Sequence, residues 1–125
     1  CYCGKHGCIE TYLSGPGLER AYTSMTSQHL GGAEIASRAD AGDSAAAAIM
    51  ATYIDRFARS LATVINIIDP DIVVVGGGLS RIERIYRDVP NALAKCVFSD
   101  TVATTVVKAR HGDASGVRGA AWLWP

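Results

Sequence analysis

The sequence predicts an α/β fold built on a βαβα unit, with helices and a thiol-rich knuckle ahead of it. Three observations carry that prediction. Ile72-Val73-Val74-Val75 is an unbroken β-branched run, the pattern of a strand covered on both faces in a parallel sheet. It is bracketed by Asp69-Pro70, which stops a preceding helix, and by Gly76-Gly77-Gly78, which ends the strand in a tight turn. Beyond the turn a helical period leads into a second strand-like segment from Ala103 to Ala109.

In chain order, the first element is Cys1-Tyr2-Cys3-Gly4-Lys5-His6-Gly7-Cys8. Three soft thiols on a loop with two turn-forming glycines suit a tetrahedral ion such as Zn²⁺, with one ligand still to be supplied. Water, a neighbouring chain or His6 are candidates for that ligand, and His6 also reads as a solvated loop residue. Buried inert thiols and a disulfide framework compete with the metal. A glycine-flanked loop suits core packing poorly, and thiols one residue apart bridge poorly. Cys96 reads as a lone core thiol and His29 as a loop residue.

Ile9 to Ser14 reads as a short helix broken at Gly15-Pro16-Gly17, followed by a helical stretch from Leu18 to Met25. After a turn at Gly31-Gly32, Ala33 to Ala39 forms another short helix closing at Gly42. Asp43 or Ser44 then caps the longest helix, whose apolar face is Ile54, Phe57, Leu61, Val64, Ile65 and Ile68. Ile82, Ile85, Tyr86, Val89, Leu93 and Val97 carry a helical period interrupted at Pro90, giving one kinked helix or two. A last helix runs from Ser115, capped by Asp113 or by Ser115 itself. Gly116 and Gly119 would permit close packing there, and Trp122 and Trp124 would supply apolar area. His111, Asp113 and Ser115 sit too close together in the chain for the relay geometry of a catalytic triad. Two strands bury too little to stand alone, so further strands are expected from elsewhere.

Composition narrows the function classes. The chain has 125 residues, 49% hydrophobic and 19% charged, enough for one domain and too apolar for disorder. Twelve basic and twelve acidic side chains leave zero formal charge, so no nucleic-acid partner is expected. Nor is a membrane span, because the longest apolar run is far shorter than the roughly 20 residues a spanning helix needs. An N-terminal cysteine also fits a lipid-anchored protein, but a disordered linker would then be expected where the cluster stands. The missing start methionine reads as truncation, and thiols kept reduced for a metal point to the cytoplasm.

The pattern CxCGxxGCxE from Cys1 to Glu10 resembles the zinc signature of the ROK family of repressors and sugar kinases. Two further segments, Asp69 to Ser80 and His111 to Leu123, resemble it as well, so the resemblance runs end to end. The segment Ile9 to Gly15 and the closing stretch are most similar to bacterial fructokinases of the manno(fructo)kinase type. The resemblance implies the C-terminal lobe of an actin-like ATPase (ribonuclease H-like) fold. Residues 1–125 would be the C-terminal portion of a sugar kinase, with a zinc knuckle over 1–10 and a nucleotide-side helix plus βαβα unit over 43–125. It also implies that the fourth zinc ligand is a histidine upstream of Cys1.

On that resemblance Cys1, Cys3 and Cys8 hold structural zinc, and Glu10 accepts hydrogen bonds from a hexose hydroxyl. Glu10 otherwise reads as a first-turn acid favoured by the helix dipole. Gly77 and Gly78, with Leu79 and Ser80 beside them, would lie against the adenosine of ATP; the alternative is a purely structural turn. The implied activity of the intact parent protein is phosphorylation of a hexose, D-fructose at O6 first, with ATP and Mg²⁺. No catalytic residue is expected in this chain, because the aspartate base and phosphate loop would precede it, and the isolated piece should be inactive. A homodimer is expected. The alternative is the effector domain of a sugar-sensing ROK repressor, told apart by a helix-turn-helix module upstream.

Overall fold

Residues 1–123 are described by the structure, a computed structural model. Helix α1 (Glu10–Leu13) follows the knuckle, and Ser14 ends it in extended backbone while capping α2 (Gly15–Thr26). The Ser14 hydroxyl accepts from the Gly17 N–H, and Pro16 sits in the first turn of α2, where its missing N–H costs nothing. Gly15-Pro16-Gly17 therefore starts a helix as well as ending one, a correction to its reading as a breaker. Gly17 lies so close to α1 that a Cβ on it would stand 2.7 Å from the Thr11 carbonyl oxygen.

Helix α3 (Gly32–Asp40) leads to α4 (Ser44–Ile68), capped by the Asp43 carboxylate at 2.9 Å from the Ala46 nitrogen. Asp69 closes α4 in the left-handed region, with φ +48°, and Pro70 prevents continuation. The buried face of α4 is Ala46, Ile49, Met50, Tyr53, Ile54, Ala58, Ala62 and Ile65, whereas Val64 and Ile68 are exposed. The face is rotated from the predicted one because α3 and α5 pack against α4 and its alanines admit them closely.

Strand β1 (Ile72–Val75) pairs in parallel with β2 (Thr105–Lys108), Ile72 opposite Thr105 and Val75 opposite Lys108. The connection is a 3-10 turn at Gly78–Arg81 and helix α5 (Glu83–Leu93), whose Ile85, Val89 and Leu93 are buried. Pro90 lies inside this single helix and the helical period ends before Val97. Only one face of β1 is covered by described residues: Ile72 and Val74 remain 59% and 61% exposed, against the expectation of cover on both faces. The core lies between α2, α3, α4 and α5, with Val106 of β2 at its edge.

Helix α6 (Ser115–Ala121) departs furthest from expectation. It has no buried residue, a Cβ on Gly116 or Gly119 would meet nothing within 4 Å beyond the helix itself, and Trp122 is 85% exposed. Its N-cap position is Ala114, without a side-chain cap, so Ser115 does not cap it; the Asp113 side chain and Trp124 lie outside the described residues.

Candidate functional site: a thiol knuckle beside a two-sided cleft

Gly4 and Gly7 adopt φ of +77° and +73°, backbone that only glycine takes without strain, and they fold the first eight residues into a loop. The Cys1, Cys3 and Cys8 sulfurs consequently lie within 4.8 Å of one another, Cys3 Sγ and Cys8 Sγ at 3.5 Å. Thiolates on bonds of about 2.3 Å to a tetrahedral ion stand about 3.8 Å apart, so this donor set fits a soft cation such as zinc. The Lys5 backbone N–H, and then the Cys8 thiol, hold the Cys3 thiol below its ordinary pKa, which favours the ligating thiolate. Among the described residues no fourth histidine, cysteine or carboxylate joins the group, and His6 stands outside it.

The knuckle is tied to α1 through the Cys8 carbonyl, which accepts from the Thr11 N–H at 3.0 Å and the Thr11 hydroxyl at 2.6 Å. Glu10 is the first residue of α1 and exposed. It lines a cleft of about 570 Å³ whose other walls are the Ser14-Gly15-Pro16 corner, Glu19, and the turn Gly76 to Leu79. That volume lies in the range of small-ligand sites. Glu10 and the glycine turn, separated by more than sixty residues, thus face one cavity.

Gly77 has φ +78° and ψ −177°, a glycine-only conformation that turns the chain at the end of β1. Gly78 opens the 3-10 turn, and Leu79 lines the cleft while its Cδ2 packs on the α2–α3 corner, 3.1 Å from where a Gly32 Cβ would stand. Ser80 lies beneath the turn: it is fully buried and its hydroxyl donates to the Gly77 carbonyl at 2.7 Å. The helix that begins at the glycines is a single 3-10 turn, Gly78–Arg81, and the α-helix α5 starts only at Glu83.

Sequence reasoning missed three contributors. Glu19 accepts from the Gly32 N–H at 3.1 Å across thirteen residues and forms part of the cleft wall. Arg20 donates to the Thr11 carbonyl at 3.1 Å, and Tyr53 donates to the Leu13 carbonyl at 3.1 Å. Glu19 and Arg20 read in the sequence as ordinary polar positions of a helix; no local signal marks their partners. His111 is exposed, and Cys96 is half-buried against the core.

Comparison with known proteins adds identity to this geometry. The ROK family model matches residues 1–125. The N-acetyl-D-glucosamine kinase of Yersinia enterocolitica is 42% identical over 98% of this chain and 41% of its own length. The chain thus spans about two-fifths of the length of the curated relatives it matches. Among solved structures, a ROK family glucokinase from Streptomyces griseus, in complex with glucose and AMPPNP, superposes with TM-score 0.86 at 25% identity. That match covers 98% of this chain and 46% of the other. A ROK family transcriptional regulator, a homologue of the E. coli Mlc protein, superposes with TM-score 0.72 at 20% identity, over 86% of this chain and 30% of its own; that likeness concerns the fold alone. The α/β fold is that of the actin-like ROK kinase structures.

Proposed function

This chain belongs to the ROK family, and from that premise we propose that its parent protein transfers a phosphoryl group from MgATP to a hexose. The observation that carries the proposal is the shared cleft, which Glu10 and the Gly76–Leu79 turn both line. A carboxylate accepts hydrogen bonds from sugar hydroxyls, and a side-chain-free turn admits a nucleoside closely. Transfer between two substrates needs both in one water-poor site, and this arrangement supplies a wall for each. Gly77, Gly78 and Leu79 contact the nucleoside, while Ser80 acts from below by holding the turn's shape. Cys1, Cys3 and Cys8 hold a structural zinc ion that fixes the start of α1 and so the Glu10 backbone. The base that takes the hydroxyl proton and the loop that cradles the phosphates belong to the parent protein's remaining length. On this reading residues 1–10 form the zinc knuckle and residues 43–125 the nucleotide side.

The acceptor is a six-carbon sugar. D-Fructose is the acceptor suggested by the fructokinase-like segments, and the names of the curated relatives support N-acetyl-D-glucosamine ahead of it. Cytoplasmic residence and a homodimer complete the reading; among the described residues no helix is long and apolar enough to cross a membrane.

Steady-state kinetics of the parent protein with fructose, glucose, mannose and N-acetylglucosamine, ATP varied in each case, tests this. Glu10→Gln should raise the KM of the preferred sugar about tenfold or more and leave that for ATP within about twofold. No phosphorylation of any hexose, together with sugar-dependent DNA binding, would instead make the protein a regulator.

A further inference from the structure

Helix α1 is four residues long and fully buries none of them; of the four, Leu13 packs half-buried against the core, so apolar packing holds the helix at that one residue. An isolated helix that short is unstable in water. The rest of its position is set by polar tethers, and these differ in strength. Thr11 ties the N-terminal end to the knuckle through Cys8. Arg20 reaches the Thr11 carbonyl from an exposed position, where water competes for both partners. The Tyr12 ring lies under the Arg56 guanidinium, 5.0 Å from centroid to Cζ, a contact that is weak where water reaches it.

Tyr53 is different. It stands in the middle of α4 with 4% of its surface exposed, its ring 6.2 Å from that of Phe57, and its hydroxyl donates to the Leu13 carbonyl at the C-terminal end of α1. The ring belongs to the same buried cluster as Tyr22, Met50 and Ile54, so the hydroxyl is aimed by the core itself. Burial pushes the phenol up to about 12, which keeps it a donor at every physiological pH. The Leu13 carbonyl is one of the last carbonyls of a helix and has no intrahelical partner, so this bond meets a demand the helix end creates.

We propose that Tyr53 is a positioning residue for sugar binding: by holding the Leu13 carbonyl it locks α1 to the core and thereby places the Glu10 carboxylate in the cleft. The inference rests on Glu10 being the sugar contact. It assigns the two ends of α1 to separate anchors, a metal knuckle at one and a buried phenol at the other. Loss of the phenol would free the Leu13 end, so that α1 could turn about its knuckle anchor and redirect the Glu10 side chain while the glycine turn, carried by β1, stays where it is.

The test is a double-mutant cycle in the parent protein: Tyr53→Phe, Glu10→Gln and the two together, with sugar and ATP varied independently and each variant's thermal midpoint recorded. Tyr53→Phe should raise the sugar KM about three- to tenfold and change kcat and the ATP KM less than about twofold. In the Glu10→Gln background it should add little, since the carboxylate it positions is already gone. An unchanged sugar KM in Tyr53→Phe while Glu10→Gln raises it would overturn this inference alone. Equal rises for sugar and ATP, or fully additive effects in the double variant, would reduce Tyr53 to general support and overturn it as well. An unchanged sugar KM in Glu10→Gln would remove the sugar contact itself and this inference with it.

Discussion

Helices α1 and α4 touch, yet they are held by opposite means. Eight α4 residues are buried in the core and the helix keeps its shape by removing apolar area from water. No α1 residue is fully buried; beyond the half-buried Leu13, its place comes from the thiol loop before it and from side chains that reach its carbonyls. The contrast teaches where precision is needed. Core packing tolerates small shifts shared among many contacts, whereas a carboxylate that must meet a hydroxyl depends on a few directional bonds. A site helix strung from such bonds is also separable from the fold, so damage to one region should spare the other.

The largest expected effect tests the α1 side. Four-ligand zinc sites in small peptides are worth about 10–16 kcal/mol, so an even share for one thiolate is roughly 2.5–4 kcal/mol. Cys3→Ala should therefore weaken zinc binding by the parent protein at least about a hundredfold, measured by competition with a chromogenic chelator, while its thermal midpoint moves little. Undiminished affinity would remove the ligand assignment. A collapse of the whole fold would show that the knuckle and the core are not separable.

On the core side, Ile85 is fully buried on α5, the helix that packs against α4 and β2. Ile85→Ala should cost about 3 kcal/mol in denaturant unfolding and leave zinc stoichiometry unchanged in the folded protein. Loss of zinc alongside would merge the two regions into one cooperative unit.

The smallest effect joins them. Tyr53 titrates near 10 in the unfolded chain and near 12 when folded, so its contribution is complete below pH 10. Between pH 10 and 12 the unfolded state releases the proton first, and about 2–3 kcal/mol of stability should be lost as pH rises. Tyr53→Phe should flatten that part of the stability profile. An unchanged alkaline slope would mean that other groups carry it.

The glycine positions of the knuckle, the Asp43 cap, the Asp-Pro stop and β1 were legible in the sequence because each is a local demand on backbone geometry. The α4 face was misjudged because large aliphatic residues were given more weight than Ala46, Ala58 and Ala62, whose smallness is what lets neighbouring helices approach. The tethers of α1 were invisible for a different reason. Arg20 and Tyr53 reach carbonyls 9 and 40 residues away, and a backbone carbonyl leaves no mark in the sequence. The same holds for the cleft: the sequence marks Glu10 and Gly77, Gly78, Leu79 and Ser80 as separate site candidates, but only the tertiary fold brings Glu10 and the Gly76–Leu79 turn to one cavity.

That shared cavity is the central claim, and hydrogen exchange on the parent protein tests it most directly. Peptides covering residues 9–15 and 76–81 would be followed with the sugar alone, with AMPPNP alone and with both. Sugar should slow exchange in 9–15, nucleotide in 76–81, and the two together should protect both segments more than either does singly. If saturating sugar and nucleotide leave both segments exchanging as in the free protein, the cleft between Glu10 and the glycine turn is not where they bind.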